Sequence, residues 1–284
     1  MKKKICMLLA AIMITTSLAG CAGQEEKKTE KKAENRLEQI KEAGKIVVAT
    51  SPDFAPSEFI DNSSGKAEYV GCDMEFAKYI ADKLGVELEI KAMEFSAIQQ
   101  AVQSGTVDLG LTGFAYTEKR AEAMELTDKF NIENEGGYQG VLVLKENADK
   151  FNTAEDFKGL KIAGQNASLQ QNLIEGQLPK DITFQPVTAI ADGVMMVITG
   201  KVDALAVDSN NGQSLIDSYP EVAMANFQFE YGDEGNVIGI QKGQTELLEA
   251  INEIIKEVNE AELYPQWKQE AIELAKSLGI SMEE

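Results

Sequence analysis

Among the side chains that carry out acid–base or covalent chemistry, this sequence offers carboxylates in excess, three cysteines and no histidine. Without imidazole, no side chain titrates near neutrality in its unperturbed state, and no Ser–His or Cys–His nucleophile can be assembled. Cys6, Cys21 and Cys72 stand far apart, and the absence of any Cys-x-x-Cys spacing leaves neither a zinc knuckle nor a redox pair. Cys72, alone in the body of the chain, reads as a small buried hydrophobe. No glycine-lysine phrase of the phosphate-cradling kind occurs, so any nucleotide belongs to a partner. No cofactor or metal is expected. What remains is recognition by charge. The 27 basic and 47 acidic residues give a net charge of −20, a surface that repels phosphate backbones and excludes nucleic acid as a partner.

The leading segment reads as an address. Met1-Lys2-Lys3-Lys4 is basic, Ile5 to Ile14 is almost wholly apolar, and Leu18-Ala19-Gly20-Cys21 closes the run. The apolar stretch is too short to span a bilayer and has the layout of a secretory signal. Its end resembles the bacterial lipobox, which implies cleavage after residue 20 and a diacylglycerol on Cys21. Residues 1–20 are therefore expected to be a lipoprotein signal peptide, and 21–44 a lipidated cysteine followed by a flexible charged tether. The stretch from Ala22 to Arg36 is charged and nearly free of apolar side chains, and cannot bury enough surface to order itself. No later run approaches the ~20 apolar residues of a membrane helix. The expected location is extracytoplasmic, at the outer face of the plasma membrane or in the periplasm, held by lipid.

Strand and helix signals alternate beyond the tether. Lys45 to Thr50 is β-rich, and Met74, Phe76, Ala77, Ile80 and Leu84 recur at helical spacing up to Gly85. Val86 to Ile90 alternates as a strand, Ser96 to Gln103 has helical character, and Val107 to Leu111 returns to strand. This order predicts parallel strands with crossover helices. A second series starts at Gly140 to Leu144 and runs to strand Ala204 to Val207. Ala101–Leu109 and Met196–Ala204 echo each other, each a helix ending at glycine with a strand after Val-Asp. Two similar lobes are the economical explanation. Glu135-Gly136-Gly137 and Tyr231 to Gly235 flank the second lobe as candidate hinges. The expected division is 45–134 and 236–284 for lobe 1, and 135–235 for lobe 2 with its flanking hinges. The tail from Thr245 to Leu278 is predicted helical, with Leu263, Tyr264 and Trp267 in the core.

Six phrases carry a family resemblance: Val48 to Pro56, Gly71 to Ala77, Gln103 to Asp108, Thr117-Glu118-Lys119-Arg120, Asp156 to Ile162, and Gly200 to Ala204. In this order, from Lys45 to Trp267, the chain resembles the family 3 extracellular solute-binding proteins that serve polar amino acid importers of the ABC class. The resemblance implies the type II periplasmic-binding fold, two α/β lobes joined by two crossovers with ligand in the cleft. It also implies a monomer that hands its amino acid to a membrane permease driven by a separate ATPase.

Position by position, the resemblance makes Arg120 the residue that grips the ligand's α-carboxylate, which suits a guanidinium fork. Thr112 and Gly113 match ligand contacts by hydroxyl and backbone, while Ala115 stands where a hydroxyl is common. Gln165 to Ser168 match the loop that opens a helix at the carboxylate, with Ser168 as cap and Ala167 in place of the usual glycine. Asp208, at the end of an apolar strand, matches the carboxylate that receives the α-ammonium. Phe54 and Phe95 match aromatic walls of the side-chain pocket. Ser51 stands where binders of basic amino acids carry aspartate, and Glu58 could supply the missing charge. Two alternatives share the fold: a secreted dehydratase-like enzyme, and an amino acid sensory module.

Overall fold

The computed structural model describes residues 35–132, 137–232 and 235–280. The signal peptide, Cys21 and most of the tether lie outside these residues, as do residues 135–136 and 233–234 of the candidate hinges. The tether, expected to reach residue 44, ends sooner. Asn35 caps a helix, α1 (Arg36–Ala43), by accepting the Glu38 N–H at 2.9 Å, and Gly44 closes it with φ 65°. Ile40 is buried in the lobe 1 core, and Arg36 pairs with Asp108 at 2.5 Å. Ile40, the partly buried Leu37 and the bonds of Arg36 to Asp108, Gly105 and Gln244 anchor a segment whose composition reads as solvated.

Lobe 1 continues with β1 (Lys45–Thr50), a hairpin of β2 (Phe59–Asp61) and β3 (Glu68–Val70), and α2 (Cys72–Leu84). Then follow β4 (Glu87–Ala92), α3 (Phe95–Gln103), β5 (Leu109–Gly110), α4 (Glu118–Ala123) and β6 (Glu125–Leu126). Lobe 2 holds β7 (Gln139–Leu144), β8 (Lys161–Gln165), α5 (Leu169–Gln177), β9 (Thr183–Val187), α6 (Ile190–Ile198), β10 (Ala204–Asp208), α7 (Ser209–Ser218) and β11 (Val222–Gln228). The chain returns to lobe 1 with β12 (Gly239–Ile240), α8 (Thr245–Glu260) and α9 (Leu263–Ser277).

Each lobe has one five-stranded sheet, ordered β4-β1-β5-β12-β6 and β11-β7-β10-β8-β9. The expected parallel pairs are present, β1 with β4 and β5, and β8 with β9 and β10. Both sheets also contain antiparallel neighbours. β12 runs against β5 and β6, and β7 against β10 and β11. A strand that arrives from the other lobe enters without a crossover helix, so it need not be parallel.

The two echoing phrases do the same work in each lobe. Asp108 Oδ2 accepts the Val47 N–H at 2.7 Å, and Asp203 Oδ2 accepts the Lys161 N–H at 2.8 Å. Each aspartate therefore ties a strand entrance to the neighbouring parallel strand, β1 in lobe 1 and β8 in lobe 2. Gly105 and Gly200, with φ 68° and 67°, make the turns that bring them there.

The lobe 1 core packs α8 residues Leu247, Ile251, Ile255 and Val258 against Phe76, Ile80 and the sheet. Burial of each such side chain contributes roughly 1.5–3 kcal/mol. Tyr264 and Trp267 join this core as expected. Trp267 stacks on Phe76 with ring centroids 5.9 Å apart, and Tyr264 meets Phe130 edge-on at 5.1 Å. The two lobe connections lie side by side. Phe130 and Asn236 exchange backbone hydrogen bonds of 3.0 and 2.8 Å, and Asn131 Nδ2 donates to Asn236 Oδ1 at 2.7 Å.

Candidate functional site

The carboxyl ends of β1, β5, β8 and β10 face a cleft between the two lobes, where α/β sheets place their ligand loops. Nine of the ten residues expected there line it: Phe54, Phe95, Thr112, Gly113, Ala115 and Arg120 from lobe 1, and Gln165, Ser168 and Asp208 from lobe 2.

Arg120 is a buried cation, 3% exposed. It sits on α4, whose cap Thr117 accepts the Arg120 N–H at 3.1 Å. Its guanidinium lies over the Phe114 ring at 4.5 Å, donates to the Ala115 carbonyl, and reaches across the cleft to the Ala167 carbonyl at 3.3 Å. Burial lowers its pKa to about 10, so it stays charged at neutral pH. Among the described residues no carboxylate pairs with it, and its Nε has no partner. Ala115 thus serves through its carbonyl, which aims the guanidinium.

Thr112 and Gly113 line the cleft, and both already have partners within lobe 1. The Thr112 hydroxyl donates to Glu58 Oε1 at 2.8 Å and accepts the Ser51 N–H at 3.0 Å, so its proton is already engaged. The Gly113 N–H donates to Asp73 Oδ2 at 2.9 Å. With φ 57°, and with a Cβ there falling 3.3 Å from the Phe54 ring, the position suits glycine. Both residues hold a buried acidic floor in place. In that floor the Tyr264 hydroxyl donates to Asp73 Oδ1 at 2.6 Å, and Glu58, 1% exposed, keeps Oε2 unpartnered. Burial, reinforced by Asp73, pushes Glu58 well above the usual carboxylate range; burial also raises Asp73. Cys72 lies beneath, its thiol 3.2 Å from the Tyr264 hydroxyl and held protonated by burial. The small-hydrophobe reading of Cys72 agrees with this environment.

Ser51 is the one expected residue that does not line the cleft. It is buried behind it, and its Oγ donates to Asp53 Oδ1 at 2.9 Å. Asp53, two residues on, takes the place at the wall. Phe54 packs against lobe 2 apolar residues, and Phe95 meets Phe114 edge-on at 5.2 Å with Arg120 5.8 Å from its ring.

On the lobe 2 wall, helix ends dominate. Ser168 caps α5, its Oγ accepting the Gln171 N–H at 3.2 Å. Ala167 keeps the glycine-like turn, with φ 60°, so the loop path survives the substitution with the strain of a left-handed alanine. Its carbonyl also accepts from Gln99 Nε2 at 3.0 Å. Asp208 caps α7, accepting the Asn210 N–H at 2.9 Å and Gln139 Nε2 at 3.0 Å, and burial raises its pKa. Gln165 directs its amide to Asp53 Oδ2 and the Thr188 carbonyl, both at 3.2 Å. Sequence reasoning missed Asp53, Gln139 and Asn211 as wall residues. Asn211 is buried with Oδ1 unpartnered. Its position in the first turn after Asp208 was the available signal.

Among the described residues no cluster of acidic or sulfur ligands could hold a metal, and no helix is long and apolar enough to cross a membrane.

Two mixed α/β lobes, two adjacent connections and a polar cleft define a binding protein of the type II periplasmic fold. Residues 46–270 match the family of bacterial extracellular solute-binding proteins, family 3, and the chain belongs to it. It is similar to the probable ABC transporter extracellular-binding protein YckB of Bacillus subtilis, 29% identical over 60% of this chain and 57% of that one. The arginine-binding extracellular protein ArtP of the same organism is 24% identical over 91% of this chain and 93% of its own length. In structure it resembles the amino acid ABC transporter substrate-binding protein AbpA of Streptococcus pneumoniae, solved bound to L-arginine. That likeness has a TM-score of 0.77 and 28% identity, covering 87% of this chain and all of that one. These relatives are binding proteins, and the dehydratase-like alternative is set aside on that ground.

Proposed function

We propose that the cleft captures one amino acid zwitterion and that the lobes close over it for delivery to an ABC permease. The observation that carries this reading is Arg120: a buried, charged guanidinium without an acidic partner among the described residues, lining a cleft whose other wall bears Asp208. A buried cation of this kind requires an anion to offset its desolvation. The ligand's α-carboxylate meets Arg120 and the amide end of α5 at Ser168, and its α-ammonium meets Asp208. Because these groups stand on opposite lobes, ligand favours the closed state over the open one.

At the side-chain end, Glu58 Oε2 and Asn211 Oδ1 are acceptors without protein partners. They suit a side chain that donates N–H groups, and the L-arginine in the similar S. pneumoniae protein is of that chemistry. Asp53 at the wall stands two residues from Ser51, which lacks the acidic group, while Glu58, held well above the usual carboxylate range by burial and Asp73, offers an acceptor rather than a charge. Phe54 and Phe95 flank the aliphatic part. The mature chain is a monomer outside the cytoplasm, tethered by lipid on Cys21, and its ATPase belongs to the partner.

A thermal-shift screen of the protein against the twenty standard amino acids tests this reading. A ligand at 100 times its Kd stabilises by about 2.7 kcal/mol. Arginine and other N–H-bearing side chains should give the largest shifts, and their methyl esters none. Equal response to all twenty, or to none, would contradict it.

A further inference from the structure

The two lobes also meet outside the lining of the cleft. Helix α3 opens with Phe95 at the cleft and buries Ile98 in the lobe 1 core. Gln99 falls one turn beyond Phe95 on the same helix face, which sets its side chain past the edge of the cleft. There its Nε2 donates to the Ala167 carbonyl of lobe 2 at 3.0 Å, in a half-buried contact. Neither Gln99 nor Ala167 lines the cleft.

Lobe 2 prepares this acceptor by itself. Ala167 holds φ 60°, a left-handed conformation that is unfavourable for alanine and persists only where its neighbours enforce it. Gln171 Oε1 accepts the Ala167 N–H at 2.8 Å, and Gln171 Nε2 donates in turn to Glu175 Oε1 at 2.7 Å. With its N–H engaged inside lobe 2, Ala167 presents its carbonyl to lobe 1. Two lobe 1 donors, Gln99 and Arg120, converge on that one oxygen, whose two lone pairs can accept both.

We infer that Gln99 and the Ala167 carbonyl form a latch between the lobes, which sets how long a ligand stays without helping to choose it. This rests on the cleft-closure reading above and adds to it a contact outside the ligand site. The bond exists only while the lobes meet, so its loss favours opening and speeds release. Ligand enters before the latch forms, so association is unaffected.

The test uses the full chain, stopped-flow kinetics and calorimetry, with L-arginine and L-lysine as probes. Gln99→Ala should speed L-arginine dissociation about fivefold, the size of one net hydrogen bond, and raise Kd by the same factor at an unchanged association rate. The ratio of L-arginine to L-lysine affinity should not move. Gln99→Glu keeps the shape but sets a carboxylate against the carbonyl, and should release ligand at least as fast. Gln99→Lys restores a donor and should recover most of the wild-type rate. Wild-type dissociation in a folded Gln99→Ala protein would overturn the latch. A changed preference between the two amino acids would do so too, by making Gln99 a ligand contact. If the wild type binds neither amino acid, the reading of the cleft fails, and amide hydrogen exchange over residues 165–168 decides the latch in the ligand-free chain. Gln99→Ala should speed that exchange, and equal rates would overturn the latch.

Discussion

The two walls of the cleft solve the same problem by different means. On lobe 1, the wall and the floor behind it are buried ionisable side chains locked in a network: Arg120 over Phe114, and Glu58 and Asp73 held by Thr112, Gly113 and Tyr264. On lobe 2, the wall is helix starts and amides: Ser168 and Asp208 as caps, with Gln139, Gln165 and Asn211 beside them. A charge network inside a low-dielectric wall is stiff, and costly to leave half-satisfied. A helix end is a weaker device, set by local backbone, and it moves with its lobe as a unit. The contrast suggests a division of labour in which lobe 1 fixes the shape of the site and lobe 2 closes upon it.

That difference can be broken most severely at the floor. Asp73→Ala removes the acceptor of both the Tyr264 hydroxyl and the Gly113 N–H. Buried groups left unpaired cost about 1–3 kcal/mol each, so chemical denaturation should show a loss of at least 2 kcal/mol. The lobe 2 counterpart, Ser168→Ala, loses one cap and should cost about 1 kcal/mol by the same measurement. Equal losses at the two sites would erase the asymmetry.

A gentler probe is pH. Burial raises Asp53, Glu58, Asp73 and Asp208 above their ordinary values. A carboxyl whose folded pKa is raised binds more protons folded than unfolded, so its contribution to stability falls as pH rises through that window. The ligand-free protein should therefore lose stability gradually from mildly acidic to neutral pH, with the −20 net charge acting in the same direction. A ligand ammonium at Asp208 favours the ionised carboxylate, so saturating ligand should flatten the trend. Thermal melts across pH 4.5–7.5, about the carboxylate-to-neutral span, with and without L-arginine, measure both slopes. A ligand-free protein that gains stability toward neutrality would contradict the burial of these acids.

Legibility in the sequence followed how local each signal was. Strands β1, β8 and β10 and helices α2, α3 and α5 were readable because apolar periodicity and glycine stops are short-range. So were Arg120 and Asp208, which sit on recognisable phrases. The hairpin of β2 and β3, the antiparallel β12 and helix α7 were missed. β12 has only two residues and is defined by partners more than a hundred positions away. Helix α7 begins Ser209-Asn210-Asn211-Gly212, a turn-like composition that becomes helical because Asp208 caps it. Thr112 and Gly113 line the cleft, yet their hydrogen bonds go to Glu58 and Asp73, partners that no local pattern announces. Asp53 was in view inside the phrase that ended in Pro56. Its partner Gln165 lies on the other lobe, and only the fold brings them together.

The central claim is that Arg120 and Asp208 hold the two ends of one zwitterion. Calorimetric titration of L-arginine into wild type, Arg120→Ala and Asp208→Ala tests it most directly. Truncating one partner of a desolvated charge pair costs about 2–5 kcal/mol, so each variant should bind roughly thirtyfold more weakly or worse while remaining folded. Affinity equal to wild type in a folded Arg120→Ala protein would contradict the account.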